Sequence, residues 1–155
     1  MLSRLKHEDD LEALADRVKS AIAPTPDLLY DVMNACPRLR VINRSGKVSG
    51  IDRIIEAGAW NDAALALIAV EIPAWSIRRL IREDGEWFCS LTKEPNLPVT
   101  LDDTRDASHP SLPLAIIGAF LDVRRRANVT REVSEPTVPR LRPALGLAVG
   151  CDNFS

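Results

Sequence analysis

Apolar residues recur at helical spacing through the first quarter of the chain. Between Asp10 and Ile22, residues Leu11, Leu14, Ala15, Val18 and Ile22 make one stripe of an amphipathic helix. Glu8, Asp9 and Asp10 place negative charge at its start, and Pro24 ends it. Thr25-Pro26-Asp27 then supplies a capping hydroxyl followed by proline at the first helical position. Leu28, Leu29, Val32, Met33 and Cys36 line one side of this second helix, and Pro37 stops it. The short connection predicts an antiparallel helical hairpin. Arg38 to Asn43 reads as a short strand, and Arg44-Ser-Gly-Lys-Val-Ser-Gly50 as a polar linker.

Past the linker, Ile51–Ala57 predicts a short helix closed by Gly58, a residue free to take the left-handed cap conformation. Asn61 is placed to cap a helix over 62–71, whose alanine and leucine content predicts deep burial. The period then changes. Two β-prone runs, 74–82 and Trp87–Thr92, flank Asp84-Gly85, the strongest short signal for a hairpin. Trp87, Cys89 and Leu91 share one face of the return strand, and Phe88 and Ser90 the other. The outgoing strand loses phase at Arg78-Arg79, where a β-bulge restores the alternation. Val99–Leu101 is read as a third strand and 102–108 as polar loop, with Ser108 or His109 near the cap of a helix from Pro110 to about Arg126. That helix is apolar over far more than one stripe, and Arg124-Arg125-Arg126 complements its negative end. Residues 129–155 show no sustained period and are expected to form a flexible tail, with 144–149 a candidate for docking onto the body.

These elements predict an α+β protein: a β-hairpin or small three-stranded antiparallel sheet packed by helices, with an N-terminal helical hairpin. The expected division is 1–47 for the hairpin, 48–127 for the α+β core and 128–155 for the tail. A chain of 155 residues with 46% apolar residues has material for a core without metals or disulfides. The three cysteines, Cys36, Cys89 and Cys151, show no metal-ligand spacing, so they are expected to be free thiols in a reducing compartment. The first ten residues turn acidic before any apolar run, which makes a poor signal peptide, and the expected location is cytoplasmic. A net charge of −2 gives no global field for nucleic acid or an anionic membrane.

Several stretches carry a resemblance: Ile54-Ile-Glu-Ala-Gly-Ala-Trp60, Arg78-Arg-Leu80 with Asp84-Gly-Glu-Trp-Phe-Cys-Ser-Leu91, Pro95–Pro98 through Leu101-Asp-Asp103, and His109-Pro-Ser-Leu-Pro-Leu-Ala-Ile-Ile-Gly-Ala-Phe120. On these, residues 51 to about 126 resemble a set of uncharacterised small proteins of rhizobia and related alphaproteobacteria. More loosely, the order helix, hairpin, helix is similar to the small α-β-α sandwich of some phage-derived proteins. Neither resemblance implies an activity, so no site residue follows from it.

Three groups of residues are candidates for chemistry. Cys89 with His109 and Asp102, Asp103 or Asp106 is the one set that can be drawn as nucleophile, base and orienter, but Cys89 falls on a core face where a thiol is inert. Asp102, Asp103, Asp106 and His109 offer hard ligands for a divalent cation, without the pattern of a calcium-binding loop. Arg78, Arg79 and Arg82 with Arg124, Arg125 and Arg126 are candidate nucleic-acid contacts, with Trp75 or Phe88 to stack on bases. Acidic residues at 83, 84 and 86 oppose that use. No catalytic residue, metal or cofactor is therefore expected. The expected function is a non-enzymatic interaction or assembly module, pairing with a second copy or another protein because the helix from Pro110 has surplus apolar surface. The alternative is an accessory nucleic-acid-binding protein, and no membrane partner is expected.

Overall fold

The computed structural model describes residues 2–44 and 50–133, with the backbone alone for 2–5, 43 and 131–133. Most of the expected linker, the docking segment 144–149 and Cys151 lie outside the described residues. In chain order the elements are α1 (Leu2–Ser20), α2 (Pro26–Ala35), α3 (Pro37–Arg44), α4 (Gly50–Glu56), α5 (Trp60–Glu71), β1 (Ser76–Glu83), β2 (Glu86–Thr92), β3 (Arg105–His109) and α6 (Leu112–Val133). The three strands form one antiparallel sheet in the order β1-β2-β3. The fold is α+β.

α1 begins well before Asp10, because residues 2–10 contain no glycine or proline to stop it. Glu8, Asp9 and Asp10 thus lie inside the helix rather than at its start. It ends at Ser20, whose hydroxyl turns back onto the carbonyls of Asp16 and Arg17. Leu11, Leu14 and Val18 are buried, but Ile22 lies past the helix end and is 96% exposed, outside the stripe assigned to it. α2 follows its local signals: Thr25 accepts from the Leu28 N–H, Pro26 opens the helix, and Leu28, Leu29, Val32 and Met33 are buried.

The segment read as a strand at 38–43 is α3, a helix. Pro37 presets its first turn, and the Glu71 carboxylate accepts from the N–H groups of Arg38 and Leu39 at 3.1 and 3.3 Å. Glu71 also meets Arg124 at 3.2 Å, with side chains 1% and 16% exposed. One carboxylate at the end of α5 therefore ties α3 to α6. Gly58 (φ +70°) closes α4 as its sequence predicts. α5 starts at Trp60 after Ala59, so Asn61 is in its first turn and does not cap it.

The hairpin forms with the expected turn and bulge. Asp84 and Gly85 have φ of +50° and +86°, positive at both central residues as a type I′ turn requires. The register shifts between Ile77 and Arg79. The third strand is not 99–101, which is turn, but β3, within the segment read as polar loop. β3 carries little apolar bulk because little is needed. Its central inward residue is Ala107, which sits under Gly118 of α6, where an added Cβ would stand 3.1 Å from the Ala107 Cβ. α6 begins at Leu112, not Pro110, and continues to Val133. It packs on β3, β2, α1 and α5, and its residues from Leu114 to Val123 are almost all buried. Its apolar surface from Leu114 to Val123 is thus covered within the chain, while Val129 is 56% exposed. Buried side chains from Leu11 to Val123 make one continuous core.

Candidate interaction surface

The covered and uncovered parts of the sheet follow from register. Directly opposed residues share a face, so the inner face carries Leu80, Cys89 and Ala107 in one row and Arg82, Trp87 and His109 in the next. The outer face carries Ile81, Phe88 and Ser108, then Arg79, Ser90 and Asp106. α6 lies over β2 and β3. Leu80, on the same side of β1, is left 37% exposed, and Phe88 on the outer face is 39% exposed. Among the described residues, β1 has a neighbouring strand on one side only.

The geometry of that free edge can be worked out. A two-residue turn closes on a hydrogen-bonded pair, here Glu83–Glu86. Alternation then makes Ile81–Phe88 and Arg79–Ser90 hydrogen-bonded pairs too, so the backbone groups of Leu80 and Arg82 face outward. The edge strand is also fixed at its start. Arg78, at the bulge, donates to Asp102 at 2.6 Å and to the Leu97 carbonyl at 2.7 Å. Asp102, with its side chain 2% exposed, also accepts from Thr92 Oγ1, which in turn accepts from the Glu94 N–H. This clasp holds the 93–104 connection against the base of β1, with Leu97, Val99 and Leu101 exposed on it.

The six candidate arginines are not gathered into one face. Arg79 and Arg82 project from opposite faces of β1, and Arg82 stands 5.8 Å over the Trp87 ring. Arg78 is turned into the clasp. On α6, successive residues are about 100° apart, and the three arginines diverge: Arg124 to Glu71, Arg125 to Glu12 of α1 at 2.9 Å, Arg126 to Asp122 at 3.4 Å.

Cys89 and His109 share the inner face, but they do not join as nucleophile and base. His109 is buried; its Nδ1 accepts from the Ser111 N–H at 2.9 Å, so Nε2 carries the proton and donates to the Ala21 carbonyl at 2.9 Å. Both ring nitrogens are engaged, and the ring joins α1 to the entry of α6. The Cys89 thiol is fully buried, and burial, followed by the charge of Asp106, pushes it up to about 12. Among the acids, Asp102 is in the clasp, Asp103 pairs with Arg105, and Asp106 accepts from Ser90 on the outer face, away from His109. No group of three or more such side chains among the described residues is placed to hold a metal ion. No described helix is long and apolar enough to cross a membrane.

The exposure of Phe88 is legible in the alternation of β2. The openness of β1 is not, because it depends on which side of the hairpin the third strand joins. Comparison with family models, curated proteins and solved structures finds no match for this chain. The reading of the surface therefore rests on its own chemistry.

Proposed function

We propose that this protein is a non-enzymatic assembly module whose partner is a second copy of the chain, joined by antiparallel pairing of two β1 strands. The observation that supports it is the complementarity of β1 to itself. With Ile81 opposite its own copy, the outward backbone groups of Leu80 face those of Arg82 of the second copy. On the outer face Arg79 then stands opposite Glu83, and Glu83 opposite Arg79. The same register sets Phe88, Ile81 and their two copies in one apolar row across a six-stranded sheet. Charged residues and a bulge at a sheet edge ordinarily discourage strand addition. Here the charges alternate so that a foreign apolar strand is disfavoured while a second β1 is matched.

A charge swap tests the pairing. Light scattering coupled to gel filtration, on the full chain at micromolar to high-micromolar concentration, should find a dimer in equilibrium with monomer. Arg79→Glu and Glu83→Arg should each shift that equilibrium toward monomer by about tenfold or more, since each sets like charges opposite one another. The double variant should recover dimer. A strict monomer at high-micromolar concentration, or a double variant no better than the singles, overturns the proposal.

A further inference from the structure

Where β1 begins, β2 ends and β3 begins, the C-terminal half of α6 roofs a cavity of about 370 Å³. Its lining carries Lys93, Arg105 and Arg126, with Asp103 beside Arg105 and, just outside the lining, Asp122 beside Arg126. Trp75, Val123 and Ala127 give it apolar wall. The cations are held in different ways. The Lys93 ammonium lies 5.3 Å from the Trp75 ring centre, which holds it against that wall. Arg105 is 14% exposed and is gripped at one end by Asp103 at 2.6 Å, while its Nε is buried and has no hydrogen-bond partner among the described residues. A buried donor is ordinarily satisfied, so this N–H is free to donate to a water or to a bound acceptor. Arg126 makes one long contact, to Asp122 at 3.4 Å, and most of its guanidinium is open.

We infer that this cavity binds a small organic anion, one bearing a phosphate or carboxylate group on a flat, largely apolar body. Asp103 and Asp122 each offset one of the three cations and leave a net positive depression, and an anionic group there accepts from the N–H groups of Lys93, Arg105 and Arg126 that those carboxylates do not occupy. The volume is that of a small-ligand pocket, and the tryptophan and aliphatic wall suits the uncharged part of the ligand. The site is separate from the β1–β1 pairing and does not depend on it.

Calorimetric titration of the full chain with adenosine monophosphate, benzoate, inorganic phosphate and adenosine tests it. Adenosine monophosphate or benzoate should bind saturably at millimolar concentration or below, more tightly than inorganic phosphate, and adenosine should bind at least about tenfold more weakly than its monophosphate. Whichever of the two binds better tells whether the anionic group is a phosphate monoester or a carboxylate. Lys93→Met and Arg126→Ala alter exposed side chains and should leave the fold intact by circular dichroism while weakening binding by about tenfold each. Absence of saturable binding overturns the inference. So does phosphate binding as tightly as the organic anions, or unchanged affinity in both variants.

Discussion

Cys36 and Cys89 show how position alone decides the behaviour of a side chain. Both thiols are fully buried, and burial pushes each from an ordinary value of 9.0 up to about 12; Glu71 adds to the rise at Cys36, with Arg124 and Arg40 opposing it. A folded value above the unfolded one means that the folded state holds these protons more tightly. Their stabilising contribution is complete below about pH 9 and is lost as pH climbs from there toward 12. Urea midpoints should therefore fall with pH above about 9, and less steeply in the Cys36→Ala, Cys89→Ala double variant compared with its own neutral-pH value. Alkylation mapped by mass spectrometry at neutral pH should reach both residues only on unfolding. Glu71 is the other residue on which much converges. Glu71→Ala removes the cap of α3 and leaves the largely covered Arg124 without its partner, and should lower unfolding free energy by about 2–3 kcal/mol.

At the scale of elements, legibility follows the distance over which each element is specified. α2 and the hairpin carry their instructions locally, as Thr25-Pro26 and Asp84-Gly85, and both form where the pattern puts them. Even the bulge shows, because Arg78-Arg79 interrupts an otherwise regular alternation. α3 is misread because its cap is a carboxylate more than thirty residues away. β3 is misread because its packing relies on what is missing from its partner, a side chain at Gly118, rather than on bulk of its own. That makes Gly118 a sensitive position. Gly118→Leu should force α6 off β3 and destabilise the protein by about 1–3 kcal/mol in denaturant unfolding. The candidate surface was half legible: the exposed face of Phe88 follows from periodicity, whereas the free edge of β1 requires knowing the strand order.

For the whole molecule, the buried residues join into one core, and the exposed apolar side chains include Leu80 and Phe88 on the sheet, Leu97, Val99 and Leu101 on the connection beside it, and Val129 on α6. If two copies pair through β1, mass action ties stability to concentration. The thermal midpoint should rise with protein concentration in the parent chain and stay flat in Arg79→Glu.

The placement of α1 against α6 has a consequence for how the chain comes to be folded at all. The carbonyl of Ala21 waits for His109, and Glu12 waits for Arg125, partners separated by 88 and 113 positions. Synthesis delivers α1 and α2 well before α6. Until α6 emerges, Leu11, Leu14 and Val18 have α2 to rest against but lack the cover that α6 gives. The nascent protein should therefore remain open to chaperones until α6 clears the ribosome.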